Sequence, residues 1–320
     1  MVTTLHKSNF VNVNGIRLHS LDWGGSGPAL VFIPGWGCTP HLFGRFAPRF
    51  TGSFHVLGIT RRGHGDSDYP DSGYDPDTLA EDLRQFLDSQ GIDRVILAGH
   101  SLAYIELTRF AILYPQRVIK LVFLDAIYDR TGAEFKAVNA KNPLPGIVPP
   151  WPDENPTSIE EYASTVRRLY PSLDAIWCSE MDEQLRHTIQ QSAEGGWVDK
   201  ETEAIHKAIQ ATVDSYDAPY TAIQLPLLSI FAVHDGTDFL SSDHMSAEQK
   251  AQVLDFFRSK LAPYTRRYID QFRRAMPHAR VSVIPHGHHY CFLKHEEIVY
   301  DEMRRFLLDS DEPPSQPEAC

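Results

Sequence analysis

An α/β fold, with a mostly parallel sheet flanked by helices and a helical insertion, is what this sequence predicts, and three observations carry it. Short continuous apolar runs recur along the chain, amphipathic stretches separate them, and one long segment, 131–224, breaks the alternation. A length of 320 residues leaves room for one full hydrophobic core and one inserted subdomain.

The elements follow in order. Residues 10–14 and 16–22 alternate apolar and polar around Asn14-Gly15, which reads as a β-hairpin. The runs 29–33, 54–59, 95–98, 121–124, 227–232 and 281–284 are apolar almost throughout, as strands covered on both faces must be. Between them, 77–89 sets Leu79, Leu83, Phe86 and Leu87 on one helical face, 106–114 is helix-compatible, and 296–308 forms a final helix. Within 131–224 no convincing buried strand occurs, but 158–170 and 200–215 are amphipathic, and a Pro-rich entrance from Pro143 to Pro152 reads as a hinge. The expected organisation is a core of 1–130 and 225–309, a helical cap of 131–224, and a disordered tail of 310–320.

Composition narrows the function. Lys and Arg number 30 against 42 Asp and Glu, a formal charge of −12, and no basic run offers a phosphate-binding stripe, so nucleic acid is not an expected partner. The N-terminus lacks the cationic and apolar regions of a secretion signal, and no run approaches the ~18 apolar residues of a membrane span. A soluble, cytoplasmic protein is expected, with a homodimer compatible with the composition. Cys38, Cys178, Cys291 and Cys320 are scattered without a C-x-x-C pair, so they read as packed or tail thiols, although Cys38 and Cys291 lie near the proposed catalytic loops.

The chemistry starts at Gly99-His100-Ser101-Leu102-Ala103, placed between an apolar strand and a helix. A serine on such a sharp strand-to-helix turn is lifted clear of its neighbours beside backbone N–H groups that can receive negative charge. Upstream, Ile33-Pro34-Gly35-Trp36-Gly37 forms a Gly-rich turn able to leave a second N–H exposed. Asp235 follows the buried run 227–233 and is the first choice for the orienting carboxylate, with Asp238 and Asp125 as rivals that otherwise read as turn or capping groups. In Pro285-His286-Gly287-His288-His289-Tyr290, His288 is favoured as general base, and His289 and His286 are the alternatives. These imidazoles lack a second cluster with ligand spacing, and no metal or organic cofactor is implied.

The order Ser101, Asp235, His288 matches the nucleophile-elbow architecture, and about 9–308 resembles the α/β-hydrolase superfamily, in its capped, bacterial, esterase-like members. Arg61-Arg62-Gly63-His64-Gly65-Asp66-Ser67 is similar to the family's Arg-Gly-x-Gly-x-Ser loop, and Gly287-His288 to its histidine turn. The resemblance implies an eight-stranded sheet and places Trp36 and Leu102 at the oxyanion positions. Three departures concern geometry: Pro34 where His is frequent, Ala103 and Ala232 where Gly is frequent. His64 reads as structural or pocket-lining; His100, Tyr104, Ile105, Tyr128 and Trp151 are candidates to line a substrate pocket.

The expected function is that of a cofactor-free serine hydrolase, a carboxylesterase, acting on a small ester-like substrate through an acyl-enzyme on Ser101. Lactone, amide or carbon–carbon cleavage and perhydrolysis would use the same groups. Dehalogenases and epoxide hydrolases of the superfamily carry Asp as nucleophile, and Ser101 argues against both. The alternative class is a protein that keeps the triad but binds ligand without turnover.

Overall fold

The structure is a computed structural model and describes residues 6–128, 131–240 and 244–309. Cys320 and the expected tail 310–320 lie outside the described residues. Ten strands occur among those residues: β1 Lys7–Val13, β2 Ile16–Gly24, β3 Ala29–Ile33, β4 His55–Ile59, β5 Val95–His100, β6 Val118–Leu124, β7 Ile189–Gln191, β8 Trp197–Asp199, β9 Leu227–Val233 and β10 Arg280–Pro285. Eight form one sheet in the order β1-β2-β4-β3-β5-β6-β9-β10, antiparallel across β1-β2-β4 and parallel thereafter.

The hairpin turns at Asn14 and Gly15, with φ of +47° and +78°. Two left-handed residues give the turn a twist that matches its strands. The continuous apolar runs are explained by coverage on both faces. Val31, Leu97, Phe123 and Phe231 point into one core with Leu83, Phe86, Leu107, Phe110 and Phe272. Their neighbours Phe32, Ala98, Val122 and Ile230 point into the other, with Phe43, Phe46, Phe292, Met303 and Phe306. Side chains alternate along a strand, so a slip of one residue would exchange the two sets.

Local signals set the helix limits. Asp75 accepts from the Thr78 N–H and Pro76 occupies the first turn of Pro76–Ser89. Ser158 caps Ile159–Leu169 and Thr202 caps Glu203–Ser215 in the same way. The stretch between β9 and β10, which periodicity did not single out, holds Ala247–Asp255 and Ala262–Ala275 joined by a π-helical turn, Phe256–Leu261. That turn displaces the apolar face and so blurs the 3.6-residue repeat.

Between β6 and β9, residues 131–224 contribute helices and the two-stranded β7-β8 ribbon but no strand of the main sheet. They carry a small core of Tyr162, Leu185 and Ile189, with Trp151, Trp177 and Trp197 against it. Polar links fasten this insertion to the rest: Trp36 Nε1 donates to Glu201 (2.9 Å), the Thr39 N–H to Gln184 (3.0 Å), and Lys200 to Asp66 (2.9 Å).

The alanine at 103 is accommodated because its neighbour across the turn is a glycine. A Cβ on Gly99 would stand 2.9 Å from Ala103 Cβ and 2.8 Å from Leu107 Cδ1. Gly99→Ala should therefore destabilise the fold by about 1–3 kcal/mol through overpacking. Urea unfolding measures this, and an unchanged midpoint would contradict the contact.

Candidate active site

Ser101 follows β5 directly and has φ +52°, leading through the short 3₁₀ turn Ser101–Ala103 into the helix Tyr104–Leu113. Left-handed backbone is costly for a residue with a side chain and persists only where its surroundings enforce it. Asp125 follows β6 and has φ +49°. The two strands pair in parallel with His100 opposite Leu124, so these two residues leave neighbouring strands side by side at the carboxyl end of the sheet.

A continuous hydrogen-bonded chain joins them. Ser101 Oγ lies 2.8 Å from His289 Nε2, and His289 Nδ1 lies 2.7 Å from Asp125 Oδ2. Asp125 is buried, and its other oxygen accepts from the Ala232 N–H (2.7 Å) and from the Tyr128 hydroxyl. Burial alone would raise this carboxyl, but the imidazoles of His234, 3.7 Å away, and of hydrogen-bonded His289 outweigh it and hold the group far below the usual carboxylate range. An ionised acceptor then keeps the proton of neutral His289 on Nδ1, leaving Nε2 free to accept from the serine.

Two expectations from the sequence are corrected here. Asp235 does not face the histidine beside Ser101. It accepts from the Thr237 N–H (3.0 Å) and hydroxyl (2.7 Å) and pairs with exposed His286 (2.9 Å). The reason is register: Leu124 pairs with Ile230, and β9 continues to Val233, so Asp235 overshoots the position that Asp125 fills. His288 is turned away as well. Its Nε2 donates to the Ser172 carbonyl (3.0 Å) and its Nδ1 accepts from the Tyr290 N–H (3.0 Å), which makes it a buried tie to the insertion. Gly287 lets the histidine turn pass the end of β9, since a Cβ there would meet Ile284 O at 2.7 Å and Ala232 Cα at 2.9 Å. A methyl at Ala232 is tolerated against that glycine.

The loop after β3 comes close to the serine: a Cβ on Gly35 would lie 3.0 Å from Ser101 Cβ and from His100 Nδ1. The Arg61 guanidinium donates to the Pro34 carbonyl (3.1 Å) and the Gly35 carbonyl (3.4 Å) and forms a buried ion pair with Glu106 on the helix after Ser101. Pro34 thus serves through its carbonyl. His100 is buried and donates from Nε2 to the His289 carbonyl (3.0 Å), supporting the histidine turn.

Of the expected pocket residues, Tyr104 and Ile105 are buried at the start of the helix after Ser101. Tyr128 holds the Asp125 carboxylate, and Trp151 packs on Tyr162 inside the insertion, 4.9 Å between ring centres. The buried thiols are poor nucleophiles: desolvation pushes Cys38 up to about 11 and Cys291 well above its ordinary value. Among the described residues, two groups place metal-ligating atoms together, Asp125-His234-His289 and His41-Glu183-His187. In the first, both His289 nitrogens are already engaged. In the second, the His41 and His187 rings are stacked 3.8 Å apart, so their in-plane lone pairs do not converge on one ion.

A family model described as the alpha/beta hydrolase family matches residues 30–302. The chain belongs to the alpha/beta hydrolase family. It is 38% identical over 103 residues to N-formylmaleamate deformylase of Pseudomonas putida, covering 32% of this chain and 37% of that one. It is also 33% identical over 115 residues to a soluble epoxide hydrolase of a Corynebacterium species, covering 36% and 40%. The matches span about two fifths of these relatives' length. Among solved structures, E-2-(acetamidomethylene)succinate hydrolase aligns with a TM-score of 0.70 at 22% identity over 94% of this chain and 99% of that one. A marine microorganism esterase aligns with a TM-score of 0.62 at 19% identity over 90% and 98%. At these identities the structural likeness concerns the fold. Among the described residues, no helix is long and apolar enough to cross a membrane.

This family member holds several imidazoles out of water. Burial lowers His288 and His19 to about 4, His64 to about 3 and His41 to about 2. Below pH ~6.5 the unfolded chain binds protons there that the folded chain refuses, so their stabilisation is complete above that pH and lost as pH falls towards the folded values. His187 opposes the trend: burial lowers it, but Asp66 and Glu183 raise it overall. Urea midpoints should therefore fall between pH 7 and pH 5, less steeply in His288→Gln; a pH-independent midpoint would refute this.

Proposed function

We propose that the protein is a serine hydrolase that cleaves carboxylic esters, with Ser101 as nucleophile, His289 as general base and Asp125 as the carboxylate that orients it. The observation that carries this reading is the unbroken chain from Ser101 Oγ through both nitrogens of His289 to Asp125. Ser101 attacks the ester carbonyl while its proton passes to His289 Nε2, and Asp125 stabilises the imidazolium that forms. The N–H groups of Trp36 and Leu102 are proposed to receive the oxyanion, Trp36 standing next to the glycine that abuts Ser101. The tetrahedral adduct collapses as His289 returns the proton to the departing alkoxide, leaving an acyl-serine and an alcohol. Water, deprotonated by His289, attacks the acyl carbon and releases the acid and Ser101.

The insertion between β6 and β9 is proposed to act as the cap that screens this chemistry from bulk water. Amide hydrolysis is the second reading, motivated by the likeness to the deformylase. It requires the same groups, with His289 protonating an amine. Epoxide opening is disfavoured because the turn presents a hydroxyl where that chemistry would need a carboxylate.

A panel of p-nitrophenyl esters and matched anilides distinguishes the two readings by relative kcat/KM. Ser101→Ala and His289→Ala should each lower kcat by ~10³-fold or more, and Asp125→Asn by ~10³–10⁴-fold. Asp235→Asn and folded His288→Gln should stay within several-fold of wild type. Equal loss in His288→Gln and none in His289→Ala would reverse the assignment. A fluorophosphonate that fails to label Ser101 in folded protein would favour ligand binding without turnover.

A further inference from the structure

Arg61, in the loop after β4, is buried and engages all three nitrogens of its guanidinium. Nη2 donates to the Pro34 carbonyl (3.1 Å), Nη1 to the Gly35 carbonyl (3.4 Å) and Nε to Glu106 on the helix Tyr104–Leu113. The Gly35 carbonyl and the Trp36 N–H belong to one peptide group. Arg61 therefore holds the back of the same amide whose front is assigned to the oxyanion. The Gly35 carbonyl also takes the Cys38 N–H (3.2 Å), which closes the turn. Among the described residues no protein acceptor takes the Trp36 N–H itself.

Stability alone is a poor account of this pair. Glu106 Oε2 is buried without a hydrogen-bond partner, and burying two charges together with a bare carboxylate oxygen is costly. Two apolar side chains would brace the same elements without that cost, but they could donate nothing to the carbonyls. Arg62 supplies the contrast. It is equally buried and bidentate to Asp82 (2.6 and 2.7 Å), and it also donates to the Ser72 carbonyl (3.1 Å), so it serves the helix Pro76–Ser89. A cationic donor on a carbonyl draws electron density through the amide and makes its N–H a stronger donor. The gain grows with the negative charge facing that N–H, so it is larger in the transition state than with bound ester.

We propose that Arg61 is the positioning residue of the oxyanion site: it orients the Gly35–Trp36 peptide through two consecutive carbonyls and polarises the Trp36 N–H towards the developing oxyanion. Glu106 fixes the guanidinium to the helix that carries Ser101, so nucleophile and donor are set from one point. The proposal rests on the hydrolase reading for its catalytic consequence, and on Arg61 contacts alone for the polarised peptide.

Two paired replacements in the full chain test this. Arg61→Met with Glu106→Leu removes both charges at the oxyanion loop, and Arg62→Met with Asp82→Leu does the same at the neighbouring buried pair. In protein with native near-ultraviolet circular dichroism, the first should lower kcat for p-nitrophenyl acetate about 10–100-fold with KM within about twofold, and the second should stay within several-fold of wild type. An aryl trifluoromethyl ketone should lose affinity by the same factor as kcat. Its carbonyl carbon bonds to Ser101 Oγ, the serine proton passes to His289, and its oxygen becomes the oxyanion. Labelling with 15N-tryptophan reads the peptide without turnover: of the five tryptophans, Trp36 should show its backbone amide proton moved upfield in the first pair and unmoved in the second. Arg61→Lys, which keeps a charge but cannot reach three acceptors at once, should show the same effects at smaller size if the first pair misfolds. Equal kcat losses in the two pairs, a raised KM at unchanged kcat, or an unmoved Trp36 amide would each overturn the role of Arg61. A moved amide in a protein that cleaves no ester would support the polarised peptide and overturn only the hydrolase reading.

Discussion

The parallel register of β5 and β6 is the constraint from which the site follows. Pairing of His100 with Leu124 makes Ser101 and Asp125 neighbours at the first step beyond the sheet, and both depart in left-handed backbone. A strand carries its side chains alternately to its two faces, and only a sharp turn at the strand end can direct one of them upward along the sheet. Two such turns side by side leave a gap that one imidazole bridges. The carboxylate is held by the Ala232 N–H and the Tyr128 hydroxyl, so the far end of the hydrogen-bonded chain is anchored to β9 and to the loop after β6.

Arg61 and Glu106 connect this sheet-borne relay to the loop opposite. Both side chains are nearly fully buried, and the guanidinium also reaches the carbonyls of Pro34 and Gly35. Breaking a buried pair leaves an uncompensated charge, so the loop after β3 and the helix after Ser101 are fixed relative to each other. That arrangement explains how the chain does without the histidine often found at position 34 and with alanine at 103. The loop is positioned through backbone carbonyls, and the methyl of Ala103 finds space because Gly99 has none.

The insertion shares residues with the site instead of merely lying over it. His288, one residue before the relay histidine, donates to Ser172; Glu201 takes the indole N–H of Trp36, one residue after the glycine that abuts Ser101. Adjacent residues thus have divided roles, one turned to the relay and one to the insertion. The insertion is therefore hydrogen-bonded to both loops beside Ser101.

Much of this was legible in the sequence, because it depends on local pattern. Two-sided apolar runs require a wrapped sheet, Asn14-Gly15 requires a tight hairpin, and a serine between an apolar strand and a helix requires the turn that lifts it. The choice of Asp125 over Asp235, and of His289 over His288, was not legible. The first depends on which strands become neighbours and how far β9 runs past its partner, a relation between residues a hundred positions apart. The second depends on the direction of one loop as Gly287 passes Ala232, which decides which of two adjacent imidazoles meets the serine. Sequence determined the kinds of groups and the elements that bear them; tertiary structure decided which of them meet, because register and loop direction are set by long-range packing.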